Sequence, residues 1–371
     1  MTLTRTSENI RDIEEKVRAG ERLMAADGLR LYETSDVETL YRAAHHVREK
    51  RHGRKGFFVI NLHLNYSNVC VDSCMFCAFA KKQGAEGAYE MSLAETIERC
   101  AALHGVAGAE VHVVGGLHPD FPYAYYIDMI KGIRARYPGL HIKCFTAVEI
   151  DHLAHLTGKT WEQVLDDLKA AGMDSMPGGG AEVLADRVRK KLCAPKLSSN
   201  DWIEIHRLAH QRGIRSNATM LFGHIEQPQE RIEHMLKVRT LQDETGGFMA
   251  FIPLRFHPAN TRLRKLPMVA ADDVLRNIAI SRLMLDNFAH IKAYWTQVGL
   301  ETARDAMRCG ADDFDGTVVD ERITHFAGAG TPVGVTVDRL CTLIREAGCT
   351  PVRRDSWYHE LETYDDPRDG G

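Results

Sequence analysis

Residues 57–77, FFVINLHLNYSNVCVDSCMFC, join an apolar stretch to a loop that carries three cysteines within eight residues. The apolar part, 57–64, is rich in Phe, Val, Ile and Leu and predicts a β-strand. The rest places Cys70, Cys74 and Cys77 among polar residues, which is typical of a loop. In parallel barrels, the loops at the carboxyl ends of the strands carry the active site. The segment therefore predicts an α/β fold with a functional loop after its first strand.

Short apolar runs alternate with longer amphipathic stretches along the remainder of the chain. Seven further strands are predicted at 110–114, 141–148, 172–176, 215–221, 249–254, 290–295 and 313–316. Helical patterns occur between most of them, at 93–104, 123–137, 160–171, 200–212, 228–245 and 271–286. About eight strand–helix repeats predict a parallel sheet closed into a TIM-like (β/α)8 barrel.

The segments on either side of this barrel are predicted to be extensions of it. Apolar residues such as Ile10, Ile13 and Val17 recur at three- and four-residue spacings, which predicts helices within 8–54. We therefore divide the chain into an N-terminal helical extension (1–55), a barrel (56–326) and a short C-terminal extension (327–371).

The composition excludes several classes of protein. Apolar residues make up 44% and charged residues 26% of the 371 residues, which is typical of a globular protein and not of a disordered one. The formal charge of −4, without a Lys/Arg-rich run, argues against nucleic acid as a partner. No stretch of about 18 apolar residues predicts a membrane span. The polar N-terminus resembles neither a signal nor a transit peptide, so we expect a cytoplasmic protein with reduced cysteines.

The cysteine triplet is interpreted as a metal-binding loop. Three thiolates within eight residues fit a 4Fe–4S cluster held by three cysteines, whose fourth iron remains free for a small molecule. Zinc is the alternative, although a structural zinc site normally has a fourth Cys or His at a matching spacing. Three buried core cysteines are a further alternative, which the polar loop disfavours. The other six cysteines show no ligand spacing and are interpreted as ordinary thiols.

The pattern CxxxCxxC with Phe76 directly before the third cysteine resembles the signature of the radical S-adenosylmethionine superfamily. The resemblance implies that Cys70, Cys74 and Cys77 bind a 4Fe–4S cluster and act in catalysis, and that Phe76 lies among the cofactor-binding residues. It also implies that the methionyl amine and carboxylate of S-adenosylmethionine bind the open iron. One electron then cleaves the sulfonium and gives a 5′-deoxyadenosyl radical.

Further cofactor contacts are implied at the ends of later strands. The resemblance places the methionyl amine at Gly115 and Gly116, where glycine permits close approach of the backbone. Glu149, at the predicted end of the third strand, is expected to pair with ribose hydroxyls. Gly179 belongs to a glycine run that is suited to a backbone nest, and Gly223 lies where members of the superfamily contact adenine.

Four other residues are candidates for binding the substrate. Arg255, at the end of the sixth strand, has the planar fork that binds a carboxylate through two hydrogen bonds, and a surface ion pair is its alternative. Asn217 either contacts the substrate from inside the barrel or is a satisfied core amide. His224 and His257 are either polar groups near the substrate or packed loop histidines.

Motifs along most of the chain resemble a narrower family, the aminofutalosine synthases of the futalosine menaquinone pathway. Besides the cysteine loop, they are GGLHPDFPYAYY, FTAVEIDH, DSMPGGGAE, NATMLFGHIE, LQDETGGFMAFIPLRFHPANT and DDFDGTVVDERITHFAGA, within 57–357. Dehypoxanthine futalosine cyclase and the F420 deazaflavin synthase share the cysteine loop, GGLHP and DETGGF. FIPLRFHPANT and DGTVVDERITHFAGA resemble the aminofutalosine synthases most closely.

The resemblance implies a transferase that consumes S-adenosylmethionine. The adenosyl radical adds to the enol ether of 3-[(1-carboxyvinyl)oxy]benzoate, and the adduct rearranges and loses a carboxyl group. The products are 6-amino-6-deoxyfutalosine, bicarbonate and methionine, with flavodoxin or ferredoxin as the expected electron donor. Two alternatives remain, a radical cyclase that abstracts hydrogen and a zinc-stabilised binding module without redox chemistry.

Overall fold

Eleven strands are present in the computed structural model, which describes residues 9–364. In chain order they are β1 (Lys55–Val59), β2 (Asn61–Leu64), β3 (Glu110–Val113), β4 (His141–Cys144), β5 (Ser175–Met176), β6 (Arg215–Phe222), β7 (Phe248–Arg255), β8 (His290–Ile291), β9 (Asp313–Gly316), β10 (Thr350–Arg354) and β11 (Glu360–Thr363). Strands β2 to β8 form a seven-stranded parallel sheet in sequential order. A second sheet has the order β11-β10-β1-β9, in which only β11 is antiparallel to its neighbour.

Strand β9 and the residues after it lie between the two edges of the curled sheet. The amide of Ala293, after β8, donates to the carbonyl of Asp313 at 2.8 Å. At the other edge, the amide of His63 in β2 donates to the carbonyl of Val319 at 2.9 Å. The prediction of a TIM-like barrel is confirmed. Seven strands pair continuously, and β9 with the residues after it is linked to each edge of their sheet by one isolated bridge.

Helices surround the sheet, and one of them, α14 (Ile323–Phe326), lies beside the cavity. They are α1 (Arg11–Ala19), α2 (Ala25–Glu33), α3 (Val37–His52), α4 (Leu93–Arg99), α5 (Tyr123–Arg136), α6 (Ala147–Thr157), α7 (Trp161–Ala171), α8 (Asp186–Leu192), α9 (Ser199–Gln211), α10 (Pro228–Thr245), α11 (Ala271–Met284), α12 (Trp295–Val298), α13 (Leu300–Ala306), α14 (Ile323–Phe326) and α15 (Val337–Glu346), with a 3-10 helix at Cys100–Leu103. None of the helices between residues 9 and 364 is long and apolar enough to cross a bilayer.

Side-chain caps fix where several helices begin. Ser92, Thr160 and Ser198 each accept a hydrogen bond from the amide three residues later, and that residue's side chain bonds back to the cap. Such reciprocal capping satisfies two amides that the helix leaves unpaired. The six helices predicted between strands are confirmed, with ends that differ by at most five residues.

Four strand predictions were wrong in extent, and one of them, 172–176, shortens to Ser175–Met176 because Gly172 ends α7. The predicted strand 57–64 is two strands, β1 and β2, which belong to different sheets. The predicted strand 141–148 ends at Cys144, because Thr146 caps α6 and residues 147 and 148 are helical. The predicted strand 290–295 shortens to two residues because α12 begins at Trp295.

The terminal segments pack onto the barrel. Strand β10 pairs in parallel with β1, and α3 packs on α11. The division at residues 55 and 326 stays a prediction, and its outer ends, 1–8 and 365–371, lie outside the described residues. Because β1 pairs with both β9 and β10, the C-terminal segment and the barrel share one sheet.

Candidate active site

A cavity of about 300 Å³ occupies the barrel interior at the carboxyl ends of the strands. This volume is in the range of pockets that bind small molecules. Most of the residues predicted from the sequence line it: Cys70, Cys74, Phe76, Cys77, Gly115, Gly116, Glu149, Gly179, Asn217, Arg255 and His257. The fold thus brings together residues from six successive strands, β2 to β7, and from the segments that follow them.

The cysteine loop is held in place by three other segments. The amide of Cys70 donates to the carbonyl of Lys81 at 3.0 Å, and that of Val71 to Leu117 at 3.0 Å. The amide of Met75 donates to the carbonyl of Leu192, the last residue of α8, at 2.8 Å. These bonds fix the path of the loop across the mouth of the cavity.

The thiols fit a 4Fe–4S cluster better than a single zinc ion. Among the described residues, the three cysteines do not form a group whose ligand atoms all lie within 4.8 Å of one another. Thiolates on one zinc lie about 3.8 Å apart, given Zn–S distances of about 2.3 Å, whereas the cysteines of a cluster bind different irons. Burial raises the pKa of the Cys74 thiol to about 12, and coordination to a metal favours the thiolate form.

The glycines after β3 pack directly against the cysteine loop. A Cβ atom on Gly116 would lie 2.2 Å from the carbonyl oxygen of Val69, and one on Gly115 would lie 2.5 Å from the ring of Tyr66. Larger residues would therefore displace the segment that leads into Cys70. The glycines are required by contact within the chain, independently of any ligand.

Glu149 lies in the first turn of α6 and not at a strand end, which corrects the sequence-based placement. Its carboxylate accepts hydrogen bonds from the amide of Thr146 at 2.8 Å, the hydroxyl of Thr146 at 2.8 Å, the hydroxyl of Tyr66 at 2.9 Å and the amide of Gly115 at 3.0 Å. Burial raises the pKa of Glu149. Four donors use most of the capacity of a carboxylate, so Glu149 ties the glycine turn to α6 and has little capacity left for a ribose.

Gly223 and His224 lie outside the set of residues that line the cavity, and His224 is packed in its loop, which is one of its two predicted alternatives. The carboxylate of Glu226 accepts from the amide of Gly223 at 2.6 Å and lies 2.7 Å from Nδ1 of the fully buried His224. The guanidinium of Arg231 pairs with the same carboxylate at 2.6 Å. These contacts hold His224 in the loop after β6, outside the residues that line the cavity.

Arg255 presents a guanidinium to the cavity that forms no ion pair with a carboxylate in the part of the chain that the structure describes. Its Nη2 donates to the carbonyl of Val269, while its Nε is buried without a hydrogen-bond partner. Nε2 of His257 lies 2.7 Å from the carbonyl of Gln297. Asn217 lines the same cavity from β6. A cation without a carboxylate partner that faces a cavity is suited to a carboxylate ligand.

Lys196 was missed by sequence reasoning, because its segment, CAPKLSS, has no recognisable motif. Its ammonium pairs with the carboxylate of Glu182 at 2.8 Å and lies 5.1 Å from the ring centroid of Phe76. Although burial disfavours its charge, Cys74 and Glu182 raise the pKa of Lys196 well above its usual value. A positive charge therefore lies beside the cysteine loop.

The floor of the cavity is polar, which the sequence analysis also missed. Lys143 pairs with Glu110 at 2.6 Å, and Lys292 pairs with Asp315 at 2.5 Å. All four of these side chains are buried. The rings of His63 and His112 lie 4.5 Å apart, and burial lowers the pKa of both. The sequence signal for this polar floor was the alternation Glu110-Val-His112-Val along β3, because alternate residues face one side of a strand.

Comparison with known proteins assigns this site to a family. The model of the radical SAM superfamily matches residues 64–238, and that of the CofH/MqnC C-terminal region matches 245–366. Aminodeoxyfutalosine synthase of Thermus thermophilus is 45% identical over 357 residues, which cover 95% of this chain and 96% of the relative. The chain belongs to the aminodeoxyfutalosine synthase family. The Streptomyces coelicolor member is 42% identical, over 96% of this chain and 95% of its own.

Two further comparisons concern a related enzyme and a solved structure with the same fold. Cyclic dehypoxanthine futalosine synthase of Halalkalibacterium halodurans is 35% identical over 96% of both chains, so the cyclase alternative is less supported. The crystal structure of methylornithine synthase (PylB) has a TM-score of 0.73 at 18% identity, over 92% of this chain and 97% of that one, which shows a shared fold. The predictions of a radical SAM enzyme, of a 4Fe–4S cluster and of S-adenosylmethionine as its cofactors are confirmed.

Proposed function

We propose that this aminodeoxyfutalosine synthase family member joins the 5′-deoxyadenosyl group of S-adenosylmethionine to 3-[(1-carboxyvinyl)oxy]benzoate. The products are 6-amino-6-deoxyfutalosine, methionine and bicarbonate, and one water is consumed and one proton released in the balanced conversion. The observation that carries the proposal is the unpaired guanidinium of Arg255 in the cavity that also contains the three cysteines. A dicarboxylate substrate supplies the anion that this cation lacks.

The cofactor side of the cavity is formed by the cysteine loop. When bound, the cluster would supply the electron that splits S-adenosylmethionine into methionine and the adenosyl radical, and one electron would be returned as the product forms, because the balanced conversion is redox-neutral. Cys70, Cys74 and Cys77 hold it, and the glycine backbone at Gly115 and Gly116 forms the adjacent wall. Glu149 acts as a positioning residue, because its carboxylate fixes the amide of Gly115 and the cap of α6.

The substrate side is formed by the ends of β6 and β7. Arg255 binds a substrate carboxylate through its fork, and His257 follows it in the chain by two residues. Asn217 lines the same cavity from the first half of β6, and Phe76 bounds the cofactor side. The floor of the cavity consists of two ion pairs and two neutral imidazoles, so its charges are neutralised by each other before a ligand enters. A closed interior of this kind excludes water and stray hydrogen donors from a reactive intermediate.

The reducing partner is proposed to be a small electron-carrier protein, flavodoxin or ferredoxin, and the reaction is proposed to take place in the cytoplasm. The nine cysteines support a reducing compartment, since all those in the described chain are free thiols.

The test is an anaerobic incubation of the reconstituted enzyme with dithionite, 3-[(1-carboxyvinyl)oxy]benzoate and S-adenosylmethionine labelled with carbon-13 in its ribose. Mass spectrometry is expected to find the five ribose carbons in a product that also contains the benzoate ring. The Cys74→Ala variant serves as the control for background cleavage. Free 5′-deoxyadenosine as the sole labelled product would contradict the proposal and favour the hydrogen-abstracting alternative.

A further inference from the structure

Two histidines at the floor of the cavity have hydrogen-bonding capacity that the protein does not use. His63 in β2 and His112 in β3 are opposite each other in the parallel register, both line the cavity, and their rings lie 4.5 Å apart. Within residues 9–364, the ring of His112 has no hydrogen-bond partner, and Nε2 of His63 is buried without one. Imidazoles that the protein leaves unpaired at the wall of a cavity are suited to hydrogen-bonding a ligand.

The carboxylates around these histidines are already compensated. The two ion pairs of the floor neutralise their own charges. A third carboxylate that acts on His63, that of Glu321, accepts hydrogen bonds from the amide and the hydroxyl of Thr324 and pairs with His325 at 3.0 Å. In the described chain, neither floor histidine belongs to a group of three metal-binding side chains with ligand atoms within 4.8 Å of one another. A hydrogen-bonded anion therefore fits the pair better than a metal ion.

The histidines and Arg255 lie at different ends of the cavity. Arg255 is the last residue of β7, and the segment after it reaches the cysteine loop, where the amide of Arg262 donates to the carbonyl of Met75 at 3.1 Å. His112 instead lies within β3, opposite Lys143 of the floor in the register. A ligand that spans the cavity therefore meets the guanidinium near the cysteine loop and the imidazoles at the floor.

We propose that His63 and His112 bind the ring carboxylate of the substrate by donating hydrogen bonds to it. The inference rests on the proposed function, because it takes 3-[(1-carboxyvinyl)oxy]benzoate as the ligand. The carbon that receives the adenosyl group and the carboxylate on the adjacent carbon form one end of this molecule. The second carboxylate, in the meta position of the ring, forms the other end. With the reacting end at the cysteine loop and Arg255, the ring carboxylate is directed to the floor.

Each part of this ligand meets a suitable part of the cavity. The aromatic ring lies against apolar side chains that line the cavity from alternate positions of β6 and β7, namely Leu221, Ile252 and Leu254. A neutral imidazole carries one N–H donor, so the two histidines can donate to the two oxygens of one carboxylate. A site built in this way disfavours an aryl ether without the ring carboxylate, because that ligand leaves the imidazoles unpaired.

The test combines removal of the ring carboxylate from the ligand with removal of the imidazoles from the protein. The ligands are 3-[(1-carboxyvinyl)oxy]benzoate and 2-phenoxyacrylate, which lacks only the ring carboxylate. The variants are His63→Leu and His112→Leu, with His112→Gln as a milder change that keeps an N–H donor. His206→Leu is the matched control, because His206 is a buried histidine of α9 whose Nε2 also lacks a partner and which is not among the residues that line the cavity. Circular dichroism establishes that each variant is folded.

The first measurement is binding to the reconstituted holoenzyme, by calorimetric titration with S-adenosylmethionine present and without reductant. Wild type is expected to bind the benzoate about tenfold or more tightly than 2-phenoxyacrylate, since hydrogen bonds to charged groups contribute free energy of this order. This ratio is expected to fall to about threefold or less in His63→Leu and His112→Leu and to recover in part in His112→Gln. It should stay within about twofold of the wild-type ratio in His206→Leu.

The second measurement is turnover with dithionite, in which the ratio of kcat/KM for the two ligands is expected to follow the same pattern. Arg255→Lys should weaken the use of both ligands to a similar extent, because Arg255 binds the carboxylate that they share. This result separates the two ends of the cavity, since only the histidine variants should change the preference for the ring carboxylate.

Three outcomes would overturn the proposal. Equal affinity of wild type for the two ligands would show that the cavity does not bind the ring carboxylate. A wild-type ratio in both His63→Leu and His112→Leu would remove these histidines from its recognition, and a fall of the same size in His206→Leu would reduce the effect to a general disturbance of packing. If wild type shows the preference in binding but makes no labelled adduct, the proposed function fails, and the binding ratios of the variants still decide the role of the histidines.

Discussion

At the scale of single residues, Arg255 offers the sharpest test of how the substrate binds. Its guanidinium is half-buried in the cavity without a carboxylate partner in the described chain, and burial lowers its pKa. Arg255→Lys replaces a planar fork by a point charge. We expect the substrate KM to rise about tenfold, which corresponds to ~1.4 kcal/mol, with little change in the fold.

Arg339→Lys, on the exposed side of α15, is the matched control for Arg255→Lys and should leave the KM unchanged. The measurement is steady-state kinetics with dithionite as reductant, so that donor docking does not enter. An unaltered KM in Arg255→Lys would show that the guanidinium does not contact the substrate carboxylate.

Cys74 separates metal binding from folding. Its thiol is buried, and burial raises its pKa to about 12, so that without a metal it behaves as a neutral core group. We expect Cys74→Ala to lose the iron and the brown absorption of the anaerobically reconstituted enzyme while keeping its circular dichroism spectrum.

Cys309→Ala is the matched control for the cysteine experiment, because Cys309 is equally buried but lies outside the cavity. It should retain the full iron content. Iron and turnover at wild-type levels in Cys74→Ala would contradict the assignment of this residue as a cluster ligand.

Which site residues could be predicted depended on the kind of signal that each one gives. The cysteines and glycines follow a spacing that the chemistry itself imposes, so they were found directly. Lys196 reaches the loop only because α8 bonds Met75, a long-range contact that no local pattern encodes. The two alternatives for His224 could not be separated from the sequence, because its packing depends on the carboxylate of Glu226, whose bonds form only in the folded chain.

At the scale of elements, α14 contains a histidine whose charge stabilises the loop beside the cavity. Nδ1 of His325 pairs with the carboxylate of Glu321 at 3.0 Å, and its Nε2 lies 3.0 Å from the carbonyl of Thr331. The hydrogen bond to Glu321 raises the pKa of His325 to about 9, above its ordinary value of about 6.5. A raised pKa means that the folded state holds the proton more tightly, so this stabilisation is complete below pH 6.5 and is lost as pH rises toward 9.

We expect His325→Gln to lower the melting temperature most at pH 6 and progressively less at pH 7.5 and pH 9. Differential scanning calorimetry at the three pH values measures the difference from wild type. His155→Gln, at an exposed position of α6, is the control and should change the melting temperature little. A difference for His325→Gln that stays constant from pH 6 to pH 9 would rule out the ion pair as its origin.

Elements were predictable where the local pattern and the packing agree. The helices between strands have both apolar periodicity and caps, so their positions were correct within a few residues. The apolar run 57–64 has no internal signal for the break at Ile60 that sends β1 and β2 to different sheets. β10 was missed because Thr350-Pro-Val-Arg-Arg354 combines a proline with two charges, and its second charge is neutralised only by Asp313 across the fold.

At the scale of the whole molecule, the ion pair between Arg354 and Asp313 joins the C-terminal segment to the barrel. Nε of Arg354 in β10 donates to the carboxylate of Asp313 in β9 at 2.7 Å, and both side chains are almost completely buried. Removing one partner of a buried pair leaves an uncompensated charge, which typically costs 3–5 kcal/mol. Because β10 also pairs with β1, the damage should reach the barrel.

We expect Arg354→Ala to lower the free energy of unfolding by about 3 kcal/mol and to shift a single cooperative transition, since the two regions share one sheet. The adjacent Arg353→Ala is the control, because its pair with Glu362 at 3.2 Å is at the surface and should contribute less than about 1 kcal/mol. Urea unfolding followed by both circular dichroism and tryptophan fluorescence measures both variants. Two separate transitions, with only the first shifted in Arg354→Ala, would show that residues 327–371 fold independently of the barrel and that the cavity does not depend on them.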